Sequence, residues 1–424
     1  MQKKSVPTFP KRFLWGASTS SHQVEGGNHN QWSVWELENA KVLAAKAEHE
    51  LKHFDNWDAI KAEAKSPASY VSGEAVDHYN MYEEDFQILK QLNMNAFRYS
   101  IEWSRVEPEE GAWNVEAIEH YKKYTARLKQ LGIEPVVTLF HFSLPVWFAA
   151  KGGFEKRSNV KYFVRYAEKI MSELGSNVRI VVTLNEPTVY AVESYFEHHW
   201  PPALVRSKYK TWRVVNNLAY AHRQTAKMLH TLNRRYKVTI AHHTMYFYPG
   251  DNAWLSRASA AVMQYFQDDY FLRKVVKQCD FLGVNFYFSN RVYGYRVHSP
   301  NDRISDLGWD LSPADIQYAL ERLHRKYKLP LIITESGLAD ADDSQRQWFI
   351  TQQLIGMQKA LDEGVDLQGY LHWSLLDNFE WAYGTWPRFG LVKVDYKTKK
   401  RTIRPSAVWF GKIVKSLRQA GETK

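Results

Sequence analysis

A chain of 424 residues with 45% apolar side chains can bury a large core, and no low-complexity run, short repeat or flexible linker divides it, which excludes a disordered or modular chain. The formal net charge of +10 raises nucleic acid or an anionic surface as a partner, but the basic residues are scattered, and the densest cluster, Lys397 to Arg404, lacks interleaved aromatic rings and reads as a solvated turn. No segment approaches the roughly 20 apolar residues of a membrane span, Met1 to Lys11 has no apolar stretch, and Cys279 is alone, so the expectation is a cytoplasmic protein with no membrane partner, no nucleic acid and no intrachain disulfide.

In chain order, β-rich runs fall at Phe13–Ser18, Ala96–Ile101, Glu134–Phe140, Ile180–Asn185, Val238–His243, Phe281–Tyr287, Leu331–Glu335 and Gly369–Ser374. Between them, apolar residues at three- and four-residue spacing predict helices over Tyr82–Leu92, Ile118–Leu131, Val160–Leu174, Val214–Asn233, Ala314–Tyr327 and Ser344–Glu363. Eight strand and helix units, with strands apolar on both faces, predict parallel pairing closed into a single (β/α)8 barrel domain spanning 1–424. An open doubly wound sheet lacks support, because no Gly-x-Gly-x-x-Gly follows the first strand and no P-loop is present. Three connections are long: Thr19 to Gly73, with a charged helical stretch Ala40–Lys65 that reads as a solvated face, then Phe288 to Leu311, and Leu375 to Pro405.

Two strands end alike. Val181-Val-Thr-Leu-Asn-Glu186-Pro and Leu331-Ile-Ile-Thr-Glu335-Ser-Gly each deliver one Glu where Pro or Gly stops the ladder. Either Glu alone would read equally well as a cap for the following helix or loop. Parallel barrels build their active sites at the C-terminal ends of their strands. Two carboxylates meeting there suit glycosidic bond cleavage, one protonating the leaving oxygen while the other attacks the anomeric carbon or activates water. The 16 Trp and 25 Tyr are compatible with sugar stacking, and equally with a large core.

From Phe13 to about Trp409 the chain resembles the family-one glycoside hydrolases, retaining β-glucosidases and β-galactosidases. The motifs that carry the resemblance occur in the family's order: Phe13-Leu-Trp-Gly-Ala-Ser-Thr-Ser, Gln23-Val-Glu-Gly, Asp77-His-Tyr, Phe97-Arg-Tyr-Ser-Ile-Glu-Trp-Ser-Arg, Thr183-Leu-Asn-Glu-Pro, Gly283-Val-Asn-Phe-Tyr, Ile333-Thr-Glu-Ser-Gly and Trp373-Ser-Leu-Leu-Asp-Asn-Phe-Glu-Trp. The resemblance implies that Glu186 is the general acid/base and Glu335 the nucleophile, with Arg98 holding Glu335 ionised, Tyr287 orienting it and Asn285 in support. It implies that Gln23, His141, Glu380 and Trp381 bind sugar hydroxyls, that Asn185 meets the 2-hydroxyl, that Trp373 forms the stacking floor and that Phe389 closes the pocket. The implied reaction is hydrolysis of non-phosphorylated β-glucosides, with β-galactosides or β-fucosides tolerated, on a small glycoside or short oligosaccharide and with no metal or organic cofactor. Glu380 separates the chain from the phospho-β-glucosidases, whose sugar phosphate a carboxylate would repel, and Glu186 separates it from the thioglucosidases that lack this acid.

The chain departs from the family pattern at Ser336, where Asn is usual, at Phe142, where Trp is frequent, and at Gly384-Thr385, where Gly-Tyr is common. The stretch from Tyr246 to Asp280 is short for the family, which predicts an open leaving-group site. The adjacent pairs His198-His199 and His242-His243 do not have chelating spacing, so no metal site is expected. The competing classes are a non-catalytic carbohydrate-binding barrel and an inverting or endo-acting hydrolase.

Overall fold

The computed structural model describes residues 9–203, 206–299 and 303–422. Strands β1 (Leu14–Ser18), β2 (Ala96–Ser100), β3 (Glu134–Thr138), β4 (Ile180–Asn185), β5 (Lys237–Pro249) and β6 (Leu282–Tyr293) pair in sequence order, each parallel to the last. A two-residue strand β7 (Arg296–Val297) turns back antiparallel on β6, and β8 (Leu331–Glu335) and β9 (Leu367–Trp373) complete the ring by pairing β6 to β8, β8 to β9 and β9 to β1. The result is the expected closed parallel barrel of eight strands with helices between them.

The interior of the ring is filled by Ala96, Val136, Ile180, Val182, Ile332 and Leu371. A second apolar layer lies between strands and helices, which explains why the strands are apolar on both faces. The helix Val160–Leu174 shows the matching pattern, burying Val160, Phe163, Tyr166, Ala167, Ile170, Met171 and Leu174 along one stripe.

The expected charged stretch after β1 is two helices, Gln31–Leu51 and Trp57–Ala64. The first starts from Asn30 and Ser33 in a reciprocal capping box, and it buries Ala40, Ala44, Ala47 and Leu51 while most of its charges face solvent.

Three expectations need correction. β5 runs to Pro249 rather than stopping at His243, and β6 runs to Tyr293 rather than Tyr287, because the two strands stay paired through Pro249 and Val292 as a ribbon beyond the barrel rim. The Lys397–Arg404 cluster is a solvated turn only in part. Lys397 and Lys400 are exposed, but Arg401 on β11 (Arg401–Ile403), paired with β10 (Val392–Val394), is buried against Asp85 with two contacts of 3.0 Å. Arg404 is buried against Asp377 at 3.1 and 3.2 Å. Sequence spacing cannot distinguish a solvated cation from one that a distant carboxylate meets on folding.

Candidate active site

Both strand-end carboxylates reach the C-terminal rim by local irregularity. The β4 register shifts between Val182 and Asn185, and Glu186 follows in the left-handed region with φ 39°, its N–H donating to the Ala241 carbonyl at 2.8 Å. Pro187 then opens a short helix. On the other side the β6 register shifts just before Asn285, which stands opposite Glu335. Two residues past Glu335 the chain passes so close to β9 that a Cβ on Gly337 would lie 1.7 Å from the Trp373 carbonyl oxygen. Only glycine fits there.

Glu335 is 3% exposed and is gripped on both oxygens. An Arg98 Nη1 donates to Oε1, and the Tyr287 hydroxyl donates to Oε2 at 2.8 Å. Arg98 is held by its remaining donors: Nε to Thr138 Oγ1 at 3.0 Å, Nη1 to the Thr334 carbonyl at 3.3 Å, and Nη2 to Asn185 Oδ1 at 2.7 Å. Glu186 is held more lightly, by Asn285 Nδ2 at 2.7 Å from its Oε1. The same nitrogen lies 3.1 Å from Asn185 Oδ1, while Thr334 Oγ1 donates to Asn285 Oδ1 at 2.7 Å, so Asn285 ties β6 to both carboxylate-bearing strands.

Burial raises both Glu186 and Glu335 to about 7. For Glu186 the opposing influences are the Asn285 hydrogen bond and then the Arg98 charge. For Glu335 the opposing influence is led by Arg98, against a further upward push from the Glu186 charge. The two groups titrate as a pair, and the direct guanidinium and phenol contacts place the first negative charge on Glu335. Glu380 is pushed up to about 8 by burial and by the charges of Glu335 and Glu186.

The carboxylates open into a cavity of about 500 Å³ whose lining includes His141, Asn185, Tyr287, Trp373, Glu380, Trp381 and Phe389. Asn185 Nδ2 donates to His141 Nε2 at 3.0 Å, which leaves the His141 proton on Nδ1, an atom with no protein partner among the described residues. Burial, and then the Arg98 charge, lower His141 well below its usual range and keep it neutral. Its ring stacks between Trp373 (5.8 Å, 22°) and Trp381 (6.2 Å, 19°), and Trp381 rests in turn on His22 (5.5 Å, 12°). His22 is fixed by Glu36 at 2.6 Å.

Gln23 is the one expected sugar ligand absent from the cavity wall. It is fully buried, its Nε2 donating to the Phe379 carbonyl at 2.8 Å and to Asn378 at 3.0 Å, and lying 3.4 Å from Glu380 Oε2. Its visible part is to hold the Glu380 loop.

Several site residues were not anticipated. Thr138 and Thr334 anchor Arg98 and Asn285 from strand ends that the sequence pattern had placed, so position along a strand was an available signal. Trp35, Trp200, His243 and Trp309 also line the cavity, and nothing in their local sequence separates them from packing residues. His243 belongs to a pair weighed only as a metal ligand. Its neighbour His242 is held by Asp268 at 3.1 Å, and in the other pair His199 is held by Glu193 at 2.8 Å. Cys279 is buried beside His222, and burial pushes its thiol up to about 12. The helix Gln31–Leu51, in the first long connection, supplies Trp35, Val42, Leu43 and Lys46 to the cavity lining.

Carboxylates so unequally held, in a ring-walled cavity at the C-terminal rim of a β/α barrel, mark the class of barrel enzymes that cleave glycosidic bonds. Comparison with known proteins gives the family. The glycosyl hydrolase family 1 profile matches residues 5–282 and 272–419. The chain is 30% identical to beta-glucosidase A of Thermotoga maritima over 97% of its own length and 99% of that protein's. Among solved structures, a beta-glycosidase from Pyrococcus horikoshii superposes with a TM-score of 0.84 at 35% identity, covering 98% of each chain. The Thermotoga maritima beta-glucosidase in complex with glucoimidazole gives 0.84 at 28% identity, covering 97% of this chain and all of that one. This chain belongs to glycosyl hydrolase family 1 and is a glycosyl hydrolase.

Proposed function

We propose that this chain is a retaining exo-β-glycosidase for non-phosphorylated β-D-glucosides, with β-galactosides and β-fucosides accepted, and that its whole span of 1–424 serves this one activity. The observation that carries the reading is the unequal hold on the two acids: guanidinium and phenol on Glu335, a single neutral amide on Glu186. The anionic Glu335 attacks the anomeric carbon while Glu186 gives its proton to the glycosidic oxygen, and the aglycone leaves as an alcohol. Esterification removes the charge on Glu335 that helped keep Glu186 protonated. Glu186, now a carboxylate, accepts a proton from water as that water attacks the same carbon, and Glu335 departs with configuration retained. Neither step calls for a metal or organic cofactor.

The sugar would rest against Trp373, with the Nδ1–H of His141 and the second amide hydrogen of Asn185 offered to its hydroxyls. Glu380, Trp381 and Phe389 would enclose the far end, and that closed end supports exo action on a small glycoside. When ionised, Glu380 would repel a sugar phosphate. The lone buried thiol is compatible with a reducing, cytoplasmic setting. The beta-glucosidase names of the relatives favour this reading over a non-catalytic barrel.

The test is incubation with 2-deoxy-2-fluoro-β-glucosyl fluoride, in which fluorine slows release of the covalent intermediate. The expected product is inactivated enzyme labelled on the peptide containing Glu335. Full activity with no label on that residue would end the proposal.

A further inference from the structure

Eight aromatic side chains are exposed among the described residues, and six of them, Tyr209, Trp212, Trp254, Tyr265, Phe266 and Tyr295, fall in one band. Single exposed rings are ordinary, but a contiguous group is a surface with a purpose. The contacts establish continuity. Tyr209 stacks on Trp212 (6.2 Å), and Asn216, one turn further on, links the Trp212 carbonyl to the Tyr270 hydroxyl. The Tyr270 ring lies 6.2 Å from Phe266, which lies 5.3 Å from Tyr265.

The helix Trp254–Gln264 extends the band. Trp254, Ala258, Ala261, Val262 and Tyr265 follow one another at helical spacing, all exposed, while Ser256, Ala260 and Gln264 are buried on the opposite side. Gly294 N–H donates to Ser256 Oγ at 2.8 Å, which fastens the β6–β7 turn bearing Tyr295 beside this helix. Trp254 is 77% exposed and Tyr295 70%.

Cations rim the rings. Lys274 Nζ lies 4.5 Å from the centre of Tyr270, and the Arg296 guanidinium lies 5.8 Å from that of Tyr295. Arg257 stands on the exposed helix face between Trp254 and Ala261, and Lys208 adjoins Tyr209. None of these four has a carboxylate within ion-pairing distance among the described residues, whereas Lys210 and Arg213 at the edge are engaged by Glu155. The basic residues looked scattered in sequence, and folding collects several of them here.

We propose that this band is a docking surface for an anionic lipid membrane. Indole and phenol rings settle at the headgroup level, where one edge is apolar and the other wet, and the rim of uncompensated cations meets anionic headgroups. A second copy of the chain fits worse, because an isologous contact would set these cations against themselves on a molecule of net charge +10. This replaces the expectation of no membrane partner, which rested on the lack of a spanning segment and on basic residues scattered along the sequence. Among the described residues no helix is long and apolar enough to cross a membrane, and docking at the surface needs none. The helix of the band packs on the β5–β6 ribbon, which also carries His243 and Phe288 at the cavity wall, so the band lies at the cavity's end of the barrel.

The test is co-sedimentation of the full chain with vesicles of phosphatidylcholine alone or with about one third phosphatidylglycerol, at roughly 0.1 and 0.5 M salt. Binding is expected only to the anionic vesicles, and should fall at least tenfold at the higher salt. Trp254→Ser with Phe266→Ser, and separately Arg257→Glu with Lys274→Glu, should each cut partitioning at least tenfold while turnover of an aryl β-glucoside stays at the parent level. Binding unchanged in both variants, or no binding to anionic vesicles, overturns the proposal. So does a dimer in light scattering that the aromatic variant dissolves, or salt-independent retention on insoluble β-glucan that it abolishes.

Discussion

Asn285 Nδ2 sits 2.7 Å from Glu186 Oε1, and no other side chain hydrogen-bonds that carboxyl among the described residues. The bond favours the ionised form of Glu186, so its removal should raise the proton affinity of the proposed acid. Asn285→Ala is expected to shift the alkaline limb of the kcat/KM profile upward. It should lower kcat/KM at pH 7 about tenfold, the ~1.4 kcal/mol typical of one hydrogen bond in a transition state. An alkaline limb unmoved or shifted downward contradicts this account.

Glu380 combines a raised proton affinity, to about 8, with a proposed role as acceptor for sugar hydroxyls. Accepting from two hydroxyls at once favours the ionised form, so ligand binding near pH 7 should expel up to roughly one proton. Calorimetry with an uncharged, non-hydrolysable sugar mimic in buffers of differing ionisation heat reads this directly. The expected heats differ between buffers for the parent and agree for Glu380→Gln. Identical heats for the parent would refute it.

Glu186 also makes stability depend on pH. Its folded value, about 7, lies above the usual carboxylate range, so between about 4.5 and 7 the folded chain holds a proton that the unfolded chain has lost. Stability from this group is full below that window and falls as pH rises through it. Glu186→Gln, which keeps the acceptor for Asn285 and cannot ionise, should match the parent melting temperature at pH 4 and exceed it by a few degrees at pH 8. A difference that does not grow with pH would count against the assignment.

Arg401 anchors the β10–β11 hairpin to the helix His78–Gln91 through Asp85, which also holds His78 at 2.7 Å. Arg401→Ala leaves Asp85 buried with half its partners, and the expected cost is about 3 to 5 kcal/mol in denaturant unfolding. A loss below about 0.5 kcal/mol would mean that the pair is solvent-accessible in solution.

The strand order, the closed barrel and the two strand-end acids were legible in the sequence. Each is a local pattern: β-branched runs ended by Pro187 and Gly337, and helices with a single apolar stripe such as Val160–Leu174. The motifs also located Asn185, Tyr287 and Trp373, which line one cavity, and Arg98, which stands behind it on Glu335. The ends of β5 and β6 were not legible, because their continuation past the rim depends on each strand having the other as its partner. Gln23 was read as a sugar ligand, and its contacts to Asn378 and Phe379, set by a loop more than 350 positions away, were not legible.

What the sequence alone determined, then, is the periodicity that makes eight parallel strands and the identity of the groups at their ends. What only the tertiary structure decided is which further neighbours those groups meet: the Asn285 amide on Glu186, the carboxylate under Arg401, the ring stack from His22 to Trp373, and the exposed band from Tyr209 to Tyr295. The division is physical. Periodic burial is encoded residue by residue along the chain, whereas charge pairing, desolvation and the continuity of a surface exist only between residues that folding brings together.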